Sequence, residues 1–105
     1  MRFIETPIFT REVTRLLPDD EYRALQLALV FRPEQGALMR GTRGLRKLRW
    51  QVRGTGKRGG CRVIYYWDKE ADAVYMLFVY PKNVQEDLTA AQARLLGRLV
   101  REEFK

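Results

Sequence analysis

Three stretches from the middle of the chain onward leave little freedom in how it folds. LRKLRWQV (45–52) alternates, with Leu48, Trp50 and Val52 on one side and Lys47, Arg49, Gln51 and Arg53 on the other. CRVIYYW (61–67) and VYMLFVY (74–80) are dense in β-branched and aromatic residues. Only a glycine-rich turn, GTGKRGG, and the short segment from Asp68 to Asp72 separate them. Hairpins, and hence a mostly antiparallel sheet, follow from such short connections.

Helical periodicity flanks this block. FTREVTRLL spaces Phe9, Val13, Leu16 and Leu17 as one helical face, and Pro18 ends it. Asp19 or Asp20 is expected to cap a second helix, EYRALQLALVF, with Tyr22, Leu25 and Leu29 inward and Pro33 and Gly36 closing it. Thr89 with Gln92 forms a capping box for TAAQARLLGRLVREEF, whose apolar stripe is Leu95, Leu96, Leu99 and Val100. RFIE at the start reads as a short strand and ALM (37–39) as a weak one. The expected class is α+β: two N-terminal helices on a sheet of four to five strands, plus a C-terminal helix, with the helices on one side of the sheet. No repeat or linker appears, so residues 1–105 are expected to form one domain.

Composition matters chiefly through where the charge sits. The formal net charge is +7, yet residues 35–67 hold nine basic side chains and no acidic one, whereas both flanks are nearly balanced. Charge so localised on strands, among aromatics, is an electrostatic footprint for a polyanion, with nucleic acid the expected one. The bland alternative is a solvated face. Trp50, Tyr66, Phe78 and Leu48 read as core, while alternation leaves Trp67, Tyr65 and Tyr80 undecided.

The lone Cys61 excludes an intrachain disulfide and a multi-thiolate zinc site, and there is no histidine. MRFIETPIFT lacks the apolar core of a signal peptide, and VYMLFVY is too short to span a bilayer. A soluble, cytoplasmic protein without membrane association is expected.

Chemistry on the basic hairpin is restricted by what is missing. With no histidine, no clustered carboxylates near the basic patch and no metal-ligand pattern, metal-assisted hydrolysis and His-based acid–base cleavage are both disfavoured. RNA nevertheless carries its own nucleophile in the 2′-OH, and clustered cations can stabilise a phosphorane. Lysine flanked by like charges is suited to proton transfer, which arginine is not. Lys47, Lys57 and Lys82 are therefore candidate proton handlers, and Arg49, Arg58 and Arg62 candidate clamps. Without further information such a strand pair would more often bind than cut.

The runs PEQGALMRGTRGLRKLRWQVRGTGKRGGCRVIYYW and YMLFVYPKNVQEDLTAAQ resemble the HigB-like branch of the RelE/ParE toxin superfamily. The most specific parts are G-L-R-K-L-R-W, G-K-R-G-G-x-R-V-I-Y-Y and Y-x-K-N followed by D-L-T, and the likeness spans nearly the whole chain. It implies the toxin half of a type II toxin–antitoxin pair. Such a toxin enters the ribosomal A site beside 16S rRNA and cuts mRNA by 2′-OH attack, with neither metal nor cofactor. Its partner is an antitoxin, commonly a HigA-like helix-turn-helix protein. The resemblance carries the family's basic positions onto Lys47, Arg49, Arg62 and Lys82 and, across a stretch of variable length, onto Lys57 and Arg58. The expected catalytic set is Lys47, Arg49, Lys57, Arg62 and Lys82, with RNA contact expected at Arg46, Arg53, Arg58 and Asn83. One departure is clear: RelE-type members use a tyrosine near the C-terminus, and here nothing after Tyr80 is tyrosine. The competing readings are a ParE-like, non-catalytic gyrase inhibitor and a nuclease-inactive nucleic-acid binder.

Overall fold

The computed structural model describes residues 1–51, 60–85 and 87–103. Eight elements follow one another: β1 (Arg2–Glu5), α1 (Pro7–Leu16), α2 (Asp19–Phe31), β2 (Ala37–Leu38), β3 (Leu45–Gln51), β4 (Gly60–Asp68), β5 (Ala73–Pro81) and α3 (Ala90–Glu103). One sheet in the order β1-β5-β4-β3-β2 holds all five strands. The β5–β4–β3–β2 pairs are antiparallel, and only the edge strand β1 runs parallel to its neighbour, β5.

Local chemistry sets the helix ends. Thr6 caps α1, its hydroxyl accepting from the Phe9 N–H (3.1 Å) and donating to the Leu77 carbonyl (2.8 Å), so one side chain starts the helix and ties it to β5. Pro7, with no N–H to leave unpaired, follows as the first helical residue. The expected aspartate cap of α2 is not formed. Pro18 occupies the cap position without a side-chain bond, and Asp19, Asp20 and Glu21 fill the first turn, where their charges complement the helix dipole. The capping box of α3 is reciprocal: Gln92 N–H donates to the Thr89 hydroxyl (3.1 Å) and Thr89 N–H to Gln92 Oε1 (3.0 Å).

The helices do not share one side. Phe9, Val13, Leu17, Leu25 and Leu29 of the N-terminal helical region pack with Leu48, Val63, Tyr65 and Met76 on one sheet face. Leu96 and Val100 of α3 pack with Leu45, Ile64, Tyr75 and Leu77 on the other. The one-sided expectation is thus corrected to helix–sheet–helix layers. The reason is in the strands: β4 and β5 carry apolar residues at both parities, and such strands need cover on both faces. A bulge in β5 at Leu77, between the pairs Ile64↔Phe78 and Tyr65↔Met76, turns Leu77 and Phe78 toward the same core. Leu95 of the expected stripe stays 58% exposed, and Leu99 is partly buried.

A cationic sheet face as the candidate nucleic-acid interface

Strand register assembles the candidate site. Arg49 on β3 lies directly opposite Arg62 on β4, which lies opposite Tyr80 on β5. Two rungs along, and so on the same face, Lys47 faces Ile64 and Ile64 faces Phe78. On the other side, Gln51 faces Gly60, whose carbonyl accepts from the Lys82 N–H (3.1 Å). Alternation puts Lys47, Arg49 and Gln51 on the face that α3 half-covers, together with Ile64, Arg62 and Gly60. A Cβ on Gly60 would sit 3.3 Å from Gln51 Oε1 and 3.6 Å from Lys82 Cδ. The glycine lets those two side chains close over the strand.

The electrostatics of this face are unbalanced. Two guanidinium-bearing residues are paired across one ladder rung, an arrangement that costs stability. Arg62 is only 8% exposed, and its Nε has no hydrogen-bond partner among the described residues. Arg49 is exposed. Lys47 is half-buried, and its ammonium is paired with the Asp87 carboxylate, which arrives from the segment before α3. A surface carrying a buried donor with nothing to bond is prepared for an anion that completes it.

Of the residues proposed from sequence, Lys47, Arg49, Arg62 and Lys82 are brought together on this face. Asn83 occupies the exposed turn just after β5, where Val84 N–H donates to the Pro81 carbonyl (3.1 Å). Arg46 is set apart. It points to the opposite face, and its Nη1 donates to the carbonyls of Glu34 (2.7 Å) and Gly36 (2.8 Å), bracing the loop after α2. Lys57, Arg53 and Arg58 lie outside the described residues. Sequence reasoning missed Asp87, because its contact with Lys47 spans 40 residues and leaves no local pattern. Tyr80 could have been found: it is two residues before Lys82 on β5, hence on the same side. Among the described residues no three His, Cys, Asp or Glu side chains cluster as metal ligands would.

Burial governs two groups on the opposite face. The Cys61 thiol is pushed up to about 11, chiefly by burial, while the neighbouring Arg62 charge pulls it back down. The Tyr65 phenol is also raised by burial; its hydroxyl donates to the Pro33 carbonyl (2.6 Å) and accepts from the Gly36 N–H (2.9 Å).

A five-stranded sheet with two N-terminal helices on one face and a C-terminal helix on the other makes this a RelE-like α+β fold. A solved structure of the E. coli toxin RelE, an arginine-substituted double mutant in the free state, is similar over 90% of this chain and 94% of that one, with a TM-score of 0.61. Sequence identity between the two is 17%, so the likeness is one of fold. No family model matches the chain. Among the described residues no helix is long and apolar enough to cross a membrane.

Proposed function

We propose that this protein is the HigB-like toxin of a type II toxin–antitoxin pair, a ribosome-dependent mRNA endonuclease acting in the cytoplasm. The observation that carries the reading is the Arg49–Arg62 rung, with Lys47 two residues along β3 and Lys82 just past β5, bonded to Gly60. A repelling pair of cations, one buried with an Nε that has no partner among the described residues, is what an enzyme needs where negative charge gathers in a transition state. A passive scaffold would have no use for it.

The chemistry follows from that placement. The scissile phosphate lies against Arg49 and Arg62, which hold its non-bridging oxygens and stabilise the dianionic phosphorane. The RNA 2′-oxygen attacks phosphorus, its proton leaves to a basic group, and the bond to the 5′-oxygen breaks as that oxygen receives a proton. The product ends in a 2′,3′-cyclic phosphate, and no metal or cofactor enters the balance. Lys47 and Lys82 flank the rung and serve proton transfer, with Lys57, which lies outside the described residues, as a third candidate. An incoming phosphate competes with Asp87 for the Lys47 ammonium. The phenol of Tyr80, which heads the same rung, is too buried to replace the missing C-terminal tyrosine as a solvent-exchanging base. Charge stabilisation therefore carries most of the rate. The partners of this reading are mRNA in the ribosomal A site, 16S rRNA, and a HigA-like helix-turn-helix antitoxin.

The test is to translate a defined mRNA with the protein and map the 5′ ends produced. Cuts in phase with codons, present only with ribosomes and lost in Lys82→Ala, are expected. Intact mRNA accompanied by double-strand DNA breaks would replace this reading with the gyrase-inhibiting one.

A further inference from the structure

A second cationic groove lies between α3 and the loop from β2 to β3. Arg94, Arg98 and Arg101 project from successive turns of the helix and, with Gly41, Ala93 and Gly97, line a groove of about 380 Å³. Arg94 and Arg98 are exposed, and among the described residues none of the three arginines has an ion-pair partner. Like charges four apart on a helix destabilise it, so this stripe, too, has a cost that a bound anion relieves. The loop from β2 to β3 forms the opposite wall. It is held in place by Thr42, which is buried, donates to the Met39 carbonyl (2.6 Å) and accepts from the Leu45 N–H (3.2 Å). Gly97 of α3 faces this wall: a Cβ there would lie 3.6 Å from Arg101 Nη1 and 3.7 Å from the Thr42 carbonyl, at ordinary contact distance.

The shape and lining identify the ligand class. The cations form a line about one helical turn apart, which suits a polymer of charges better than one compact anion. Beyond the arginines the lining is glycine and alanine, with no aromatic surface on which a base could stack. Contact is therefore with backbone phosphates, independent of sequence. The groove also continues toward the sheet face. Ala93 borders a neighbouring groove of about 410 Å³ that contains Arg40, Lys47 and Asp87.

We propose that the Arg94–Arg98–Arg101 groove is a second RNA-backbone site, contiguous with the cationic sheet face through Lys47. This rests on the nuclease reading for the sheet face but not on its chemistry. The phosphates have two possible sources: the flank of the strand lying on the sheet face, or structured RNA of the ribosome.

The experiment compares the full-length protein with the double variant Arg94→Ala/Arg98→Ala, both positions being exposed. Affinity is measured against salt for uncleavable single-stranded RNAs of about twelve and about four nucleotides, and separately for intact ribosomes. For a strand-flank site, the variant lowers the log–log salt slope for the longer RNA by about 1.4, roughly 0.7 per lost phosphate contact, and leaves the shorter RNA unchanged. For a ribosomal site, both oligonucleotides bind as before and ribosome affinity drops. Either result supports the groove. Unchanged behaviour toward both RNA and ribosomes overturns it, as does a loss of affinity confined to a protein partner. In whichever assay the alanine variant loses binding, the double variant Arg94→Lys/Arg98→Lys should keep it, since point charges suffice for phosphate; a loss as large as that of the alanine variant would also overturn the site. The two readings fail separately. Full-slope RNA binding without mRNA cleavage ends the nuclease reading alone, and wild-type cleavage with an unaltered variant ends the groove alone.

Discussion

Arg46 and Arg49 lie three residues apart on one strand and meet opposite fates. Arg46 turns toward the face covered by α1 and α2, where its guanidinium donates to two backbone carbonyls that otherwise lack helix or sheet partners. Arg49 turns to the face only half-covered by α3, opposite another arginine. On the first face every charge has a structural task; on the second, charge is assembled against the fold's interest. Basic residues of identical type and nearly identical position therefore differ in function because the pleat of β3 sorts them.

The largest effect that separates the faces is expected at Arg62. Arg62→Met keeps much of the buried volume but removes the charge. It should lower ribosome-dependent cleavage by about 10²–10³-fold, the scale for losing a preorganised donor to a developing oxyanion. The same change should raise stability by on the order of 0.5–1 kcal/mol, because the like-charge rung with Arg49 is gone. Cleavage assays and urea melts on one preparation read both. A variant that was less stable and equally active would show Arg62 to be structural, like Arg46, and the contrast would collapse.

Arg46→Ala should give the mirror image at smaller size. Losing two charge-assisted hydrogen bonds to carbonyls of the 33–36 loop costs about 1–3 kcal/mol, a fall in melting temperature of several degrees for a domain of this size. Cleavage by the protein that remains folded should be unchanged. A clear loss of activity at a temperature where the variant is fully folded would return Arg46 to the RNA-contacting set expected from sequence.

How far these sites could be read from residues alone depends on the range of the interactions involved. The alternation in LRKLRWQV was enough to put Lys47 and Arg49 together, since pleat is a local property. The α3 capping box was likewise legible, because its two partners are three residues apart. The layer order was not: apolar residues at both parities of β4 and β5 permit cover on both faces but do not say which helix goes where. The stripe on α3 was read too widely. Leu96 and Val100 are buried, yet Leu95, an equally apolar neighbour, faces out beside Ile8 and Phe78. A helix crossing a sheet buries a narrower strip than periodicity alone implies. The Lys47–Asp87 pair and the Arg94–Arg98–Arg101 groove depend on where α3 docks, a non-local fact. Arg94, Arg98 and Arg101 also sit in a nearly balanced flank, where acidic neighbours in sequence offset their charge.

The smallest expected effect links the two faces through adjacent residues. Cys61 and Arg62 are successive on β4, so their side chains leave the strand in opposite directions, one into the dry core and one onto the cationic face. Burial raises the Cys61 thiol to about 11 from an ordinary 9.0, and the Arg62 charge opposes that rise. The folded state thus holds a proton that the unfolded chain releases. Its contribution to stability is complete below pH 9, shrinks as the pH climbs, and is gone above about 11. Tyr22, raised by burial and by its bond to Glu5, pushes in the same direction at higher pH. Removing the guanidinium in Arg62→Met should move Cys61 ionisation further up, which the ultraviolet absorbance of the thiolate follows directly. In the same variant, alkylation of the folded protein at mildly alkaline pH should slow further. If Cys61 titrates identically with and without the Arg62 charge, the field of the cationic face does not penetrate the sheet. Its strength would then be confined to solvent and to whatever polyanion lies on it, and the two faces would be independent electrostatically as well as in packing.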